Sequence, residues 1–266
     1  MARLLGRILA IGGSDSGGGA GIQADIKTIA AFGAYAATAI TAVTVQDTKA
    51  VYCIEPLAPD LIVAQIKAVL ADIGVDAIKT GMLSGAAAIR AVAAALEDRA
   101  AGIPLIVDPV LAAGTGRSFL DAEGIAALKQ RLVPRAWLLT PNVPEAEALT
   151  GRRIAGPEDM ETAGRELIAL GAKAVLVKGG HLSGPQVSDV LVTAEGREIF
   201  TAPRQETPHT HGTGCTLASG IAAGLAQGLA LREAVVRAED FVARAIRTAP
   251  GFGQGRGPLN HACLGS

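Results

Sequence analysis

Short apolar runs alternate with amphipathic stretches along nearly the whole chain. Residues 7–11 (RILAI) read as a first strand, followed by a glycine-rich loop. Ile22, Ile26, Ile29 and Phe32 then recur at helical spacing and predict a helix over 22–32. The same reading gives strands over 39–45, 77–79, 105–107, 137–139 and 174–177. Helices are expected over 61–70, 86–96, 125–132 and 160–170. Residues 187–192 and 198–201 predict a hairpin around Glu195-Gly196, followed by helices over 214–228 and 231–247 and a glycine-rich tail at 251–261.

Strand–helix alternation predicts an α/β fold with parallel strands and right-handed crossovers. Ligands in such sheets bind beyond the carboxyl ends of the strands. Those ends are polar or glycine-rich here: Gly12-Gly13-Ser14-Asp15, Gln46-Asp47, Lys79-Thr80-Gly81, Asp108-Pro109, Thr140-Pro141-Asn142 and Lys178-Gly179-Gly180. One polar rim is therefore expected. No linker-like shift in composition divides the chain, so 1–266 is read as one domain.

Half the residues are hydrophobic, enough for a large core, which argues against global disorder. Net charge is −1 with no basic block, which argues against a nucleic-acid partner. No apolar stretch approaches the ~20 residues that span a bilayer, and residues 8–11 end at Gly12-Gly13 too soon for a signal peptide. Cys53, Cys215 and Cys263 are widely spaced and suggest neither a disulfide framework nor a zinc site, so a reducing cytoplasm is expected. His181, His209 and His211 lack metal-ligand spacing and read first as polar loop residues.

The strongest chemical signal is His209-Thr210-His211-Gly212-Thr213-Gly214-Cys215-Thr216 ahead of a small-residue helix. Glycines let successive N–H groups aim at one point, and the helix start adds a positive dipole end. Gly212, Thr213 and Gly214 are thus expected to form an anion hole for a transferring phosphoryl group. Cys215 is expected to have a lowered thiol pKa and to take a proton from a substrate hydroxyl. The plain alternative is a glycine-rich helix start with a small packed cysteine. The first loop, Gly12 to Asp25, permits a loose dinucleotide fingerprint at Gly19, Gly21 and Ala24. Its length and Ser14-Asp15-Ser16 weigh against a pyrophosphate there, and no Gly-Lys dipeptide supports a P-loop. Residues 17–21 are the candidate for a mobile lid.

GSDSGGGAGIQADIKT at 13–28, VQDT at 45–48, GML at 81–83, VDPV at 107–110, TPNVPEAEALTG at 140–151, VKGGH at 177–181, HTHGTGCT at 209–216 and GRGPLNH at 255–261 occur in one order. Together they resemble the hydroxymethylpyrimidine (phosphate) kinases, across about residues 7–261. The resemblance implies a ribokinase-like three-layer sandwich, with a mostly parallel central sheet and helices on both faces. It also implies ATP and Mg2+, a small-molecule substrate and a homodimer.

Gln46 would bond the aminopyrimidine edge, since an amide donates and accepts in one plane. By the same resemblance, Gly13 and Val45 would shape the slot, Met82 would pack on the ring and Val110 would line the pocket. Asp25 would lie near the hydroxymethyl end. Cys215 would take the place of the catalytic aspartate of sugar kinases of this fold. Asp108, Asn142 and Glu145 would belong to the magnesium and phosphate region, and Lys178 would approach ATP. Plainer readings stay beside these: Gln46 as a strand-end residue, Met82 as core filler, Asp108 and Asn142 as turn formers, Lys178 as a solvated lysine. Ser14-Asp15-Ser16 departs from the family's usual Thr-Asp-Pro. A pyridoxal kinase of the same fold, a non-catalytic pyrimidine sensor and a dinucleotide-binding oxidoreductase are the alternatives.

Overall fold

The computed structural model describes residues 6–114 and 116–263. Its first strand, β1 (Arg7–Asp15), shows how the layers arise. Successive strand residues face opposite ways, so Leu9 and Ile11 enter one apolar cluster and Ile8 the other. A strand buried on both faces needs a continuous apolar run, which RILAI supplies.

The first half continues with α1 (Gly21–Ala31), β2 (Tyr35–Gln46), β3 (Val51–Pro56), α2 (Pro59–Asp72), β4 (Ala77–Thr80), α3 (Ala86–Arg99) and β5 (Leu105–Val107). Next come α4 (Ala122–Arg131), β6 (Leu138–Leu139), α5 (Val143–Thr150), α6 (Pro157–Ala169) and β7 (Val175–Val177). The hairpin β8 (Gln186–Val192) and β9 (Arg197–Pro203) precedes α7 (Thr213–Ala226) and α8 (Leu231–Arg247). The described strands form one nine-stranded sheet, ordered β3-β2-β1-β4-β5-β6-β7-β8-β9. Neighbours from β2 through β7 are parallel, and β3, β8 and β9 add antiparallel edges.

Apolar residues of α2 to α6 pack on one face with Leu9, Ile78, Leu139 and Val175. Those of α1, α7 and α8 pack on the other with Ile8, Ile106, Leu138 and Leu176. The fold is therefore the three-layer α/β arrangement expected. Among the described residues, no helix is long and apolar enough to cross a membrane.

Two elements add to those read from sequence. Strand β3 pairs with β2 through Val45↔Cys53 and Gln46↔Val51. Helix α5 follows Thr140-Pro141-Asn142, where a turn was expected. Asn142 Oδ1 accepts from the Glu145 amide at 2.9 Å, and Glu145 Oε2 accepts from the Asn142 amide at 2.8 Å. This is a reciprocal capping box. Pro144 lies in the first turn, and Gly151, at φ 77°, ends the helix in the left-handed region only glycine adopts readily.

Helix α8 carries an internal cost. Glu239 Oε1 is buried without a hydrogen-bond partner. Burial, then the charges of Asp189, Asp240 and Glu198, push its carboxyl up to about 8. Folding takes up a proton here. The contribution is full below the ordinary carboxylate range and is lost as pH rises through about 8. Glu239→Gln should therefore raise Tm by a few degrees at about pH 9 and change it little at about pH 5. Melting curves across pH check this, and an equal shift at both ends would refute it.

Candidate active site

The sheet order reverses between β1 and β4, which opens a crevice at their carboxyl ends. Glycine lets the two strand ends approach there. A side chain on Gly12 would meet the Gly81 backbone at ordinary contact distance, 3.8 Å, but one on Gly13 would begin only 2.7 Å from Met82 Cε, so the close approach is at Gly13. Met82 is 7% exposed and its carbonyl accepts from Thr41 Oγ1 at 2.6 Å, so it forms a fixed wall against Gly13. Gly13 and Met82 are thus brought together as expected.

The loop after β1 wraps a carboxylate. Asp15 accepts from the amides of Gly17 (2.8 Å), Gly19 (3.0 Å) and Ala20 (2.8 Å) and lies 2.8 Å from His211 Nε2. Burial acts to raise the Asp15 carboxyl, but these bonds together hold it below its ordinary value. Residues 17–21, expected as a lid, therefore have their amides turned inward and carry the bonds of a wall. The carboxylate already takes the Gly17, Gly19 and Ala20 amides that a pyrophosphate would need, which argues against the dinucleotide reading.

Helix α7 faces this loop. Its N-cap, Gly212, has φ 90°. The Thr213 hydroxyl donates to Thr210 O at 2.7 Å, and the Thr216 amide makes the first helical bond, to Gly212 O. The Gly214 and Cys215 amides lie in the first turn, where no helical carbonyl is available to them. Lys178 Nζ would be 3.1 Å from a side chain on Gly214, and Asp108 Oδ2 3.7 Å. Gly212, Thr213, Gly214, Cys215, Lys178 and Asp108 thus converge at one helix mouth.

Lys178 bonds Asp108 Oδ1 at 2.9 Å, and Thr140 Oγ1 donates to the same oxygen at 3.2 Å. Burial acts to lower the Lys178 ammonium, but Asp108 and Glu145 overcome this and keep it charged. Burial pushes the Glu145 carboxyl up, against the pull of Lys178. Asn142 belongs to this cluster through its cap on Glu145 and through a bridge to Lys178.

The thiol differs from expectation. Burial pushes Cys215 up to about 11, although Lys79 and a Gly21 amide bond to its sulfur favour the thiolate. The helix start does not offset the loss of water, so the group is a neutral thiol near pH 7.

Asp25, expected at the substrate's hydroxymethyl end, is fully buried. It accepts from Lys79 Nζ at 2.9 and 3.1 Å and from Ser219 Oγ at 2.7 Å. It anchors Lys79, which is also fully buried and which sequence reading left as a strand-end residue. Val45, expected in the slot, alternates with Thr44 onto the other face of β2 and is 58% exposed, so the structure does not bring it to Gln46. Gln46 does face the rim: its side chain reaches Thr44 and His211. Val110 has φ 41°, the described non-glycine residue in the left-handed region. A β-branched residue held there stores roughly 1–3 kcal/mol of strain, a frequent mark of functional loops.

The tail closes the rim. The His211 amide donates to Gly257 O, and Arg256 donates to Gly114 O at 2.6 Å and Thr210 Oγ1 at 2.9 Å. His261 Nε2 meets Thr216 Oγ1 at 2.9 Å. Burial and Lys27 hold this imidazole down at about 4. Sequence reasoning put Asp15 and Lys79 on the polar rim without a role for either, read His211 as a polar loop residue and singled out nothing at Arg256. The motifs GSDS, AIKT, HTHG and GRGP contain them, but no spacing rule says which of their charges meet.

A phosphomethylpyrimidine kinase profile matches residues 15–260. The chain belongs to that family. It is 47% identical over 256 residues to the thiamine biosynthesis bifunctional protein ThiED of Geobacter sulfurreducens, covering 96% of this chain but only 52% of that protein, so it spans about half of that relative's length. It is 46% identical to the hydroxymethylpyrimidine/phosphomethylpyrimidine kinase of Rhizobium meliloti, covering 95% of this chain and 96% of that one. Among solved structures, an ADP complex of Bacillus subtilis pyridoxal kinase superposes with a TM-score of 0.90 at 35% identity, over 97% of this chain and 98% of that one. The fold is therefore ribokinase-like, and phosphomethylpyrimidine kinases are phosphotransferases that use ATP.

Proposed function

We propose that this chain transfers a phosphoryl group from ATP to 4-amino-5-hydroxymethyl-2-methylpyrimidine, and then to the monophosphate, giving the diphosphate used in thiamin biosynthesis. The observation that carries the reading is the meeting of the α7 start with Lys178 and Asp108, beside Gln46, whose side chain reaches His211 just ahead of that start. Phosphoryl transfer needs little covalent help from protein. It needs fixed positive charge around a loose transition state and an aligned hydroxyl. The Gly214 and Cys215 amides and Lys178 supply the charge. Gln46, Gly13, Met82 and Val110 would hold the ring. The hydroxyl proton leaves late in such a reaction, so a neutral Cys215 thiol can align the hydroxyl without being a strong resting base.

The donor set also suits Mg2+, which takes hard oxygen ligands and commonly one or two carboxylates with phosphates and water. Asp108 uses Oδ1 for both Lys178 and Thr140, which leaves Oδ2 toward the helix mouth, and Glu145 lies beside it. Asp108 and Glu145 would hold the ion, whose chemistry when bound is to neutralise phosphate charge.

The pyridoxal kinase likeness supports a second reading, in which pyridoxal is the substrate. Comparing kcat/KM for the two alcohols, with ATP consumption as readout, tests both; activity on neither rejects the assignment. Cys215→Ala should fold with unchanged Tm and lose about 100-fold in kcat, with KM for ATP little changed. Near-normal kcat would remove the thiol from the chemistry. The continuous sheet supports one kinase domain. Large apolar side chains exposed on the β2–β3 hairpin, Val43, Val45 and Tyr52, support a homodimer. The three free thiols suit a reducing cytoplasm.

A further inference from the structure

The two acceptors of the proposed reaction differ in charge. The alcohol is neutral. The monophosphate carries close to two negative charges at about pH 7, because the second phosphate pKa is about 6. Its attacking oxygen is then unprotonated and forms a bond to the γ-phosphorus of ATP. The bond from that phosphorus to the bridging oxygen breaks, and ADP leaves with the electron pair. The second transfer therefore brings two anions together and needs positive charge on the acceptor side that the first does not. Lys178 is committed to Asp108 at 2.9 Å, and Lys79 to Asp25 at 2.9 Å.

Arg256 carries no such commitment. It is exposed, and its side-chain bonds go to neutral oxygens: Nη1 to Gly114 O at 2.6 Å and Nη2 to Thr210 Oγ1 at 2.9 Å. Among the described residues no carboxylate pairs with it. A guanidinium has five N–H donors in a planar fork that matches phosphate, so three remain. The residue is held from several sides. Its amide donates to Thr48 O at 2.8 Å, two positions beyond Gln46. The next residue, Gly257, accepts the His211 amide, one position ahead of the Gly212 cap. Thr210, which takes Nη2, also holds the Thr213 hydroxyl through its carbonyl. A side chain on Gly114 would begin 2.7 Å from Nη1, so glycine there makes room for the guanidinium. Arg256 is thus tied both to the segment after Gln46 and to the α7 start. Partial burial, then the charges of Lys178 and Arg256, lower the His181 imidazole, so both cations act on one ring. We propose that Arg256 is a specificity-determining residue whose open N–H donors take the phosphate of the monophosphate acceptor, so that it serves the second transfer and not the first. This rests on the function proposed above and deepens it.

Kinetics on the two acceptors test the inference. Arg256→Gln, which keeps an amide N–H but no charge, should lower kcat/KM for the monophosphate about thirtyfold more than for the alcohol, chiefly through KM. Arg256→Lys, which keeps the charge without the fork, should fall between Arg256→Gln and the parent. Equal losses on both acceptors would make Arg256 a strut between the tail and α7 and overturn the proposal. A matching rise in KM for ATP with either acceptor would assign the guanidinium to the nucleotide and overturn it as well. Where melting curves show that Arg256→Gln does not fold, Arg256→Lys carries the comparison. Calorimetric titration with inorganic phosphate gives a readout without turnover. Weaker binding by the folded variant than by the unmodified protein supports the proposal; equal binding, or none by the unmodified protein, overturns it. If the unmodified protein phosphorylates neither acceptor, the function reading fails by itself and the phosphate titration decides the inference.

Discussion

Gly212→Ala is expected to lower kcat by about 100-fold or more while leaving a folded protein. At φ 90° an alanine is strained, and its Cβ would fall 1.8 Å from Gly19 O, deep inside van der Waals contact. The neighbour is backbone, so no side chain can swing away. Relief requires the start of α7 and the Asp15 loop to part. That displaces the amides of Gly214 and Cys215, which under the proposed function stabilise the transferring phosphoryl group only through their aim. Steady-state kinetics with a parallel melting curve separate this from unfolding. A kcat within about tenfold of normal would show that the α7 start is not where the phosphoryl group passes.

The largest expected effect on stability is at Lys79. Lys79→Met leaves Asp25 at 0% exposure with only Ser219 to bond it, and burial, which already pushes this carboxyl up, is then unopposed by the lysine. Removing one partner of a buried pair costs about 3–5 kcal/mol. Adding Asp25→Asn removes the unpaired buried carboxyl and keeps an acceptor for Ser219, so the double variant should recover most of the loss. Urea titration of the three proteins measures this. A single variant as stable as the parent would mean that the pair contributes nothing net to the fold.

Strands and helices were legible where periodicity was clear. The run at 7–11 lies in β1, and the stripe from Ile22 to Ile29 lies in α1, with Phe32 as its C-cap. Helix α5 was legible in principle, since Asn142, Pro144, Glu145 and Gly151 spell a cap at each end. Its eight residues are too few for a periodic stripe to show. Strand β3 was hidden because its partner, not its own pattern, makes it a strand.

Within the site, the glycine-flanked start of α7 was readable because backbone geometry is written in glycine positions. Long-range charge pairing was not. Nothing in AIKT says that the lysine turns inward to Asp25, and Cys215 was misjudged because a helix start is local in sequence whereas burial is not.

The contacts that build the rim come from far apart in the chain. Asp15 meets His211 across 196 positions, and Asp25 meets Ser219 across 194. No internal fragment owns these pairs, so no isolated half of the sheet can turn over substrate. Contacts so distant in sequence carry the largest loop-closure cost and contribute to slow folding. Catalysis in this chain therefore reports completed assembly: during renaturation it returns with the last long-range docking events, after helical signal has recovered.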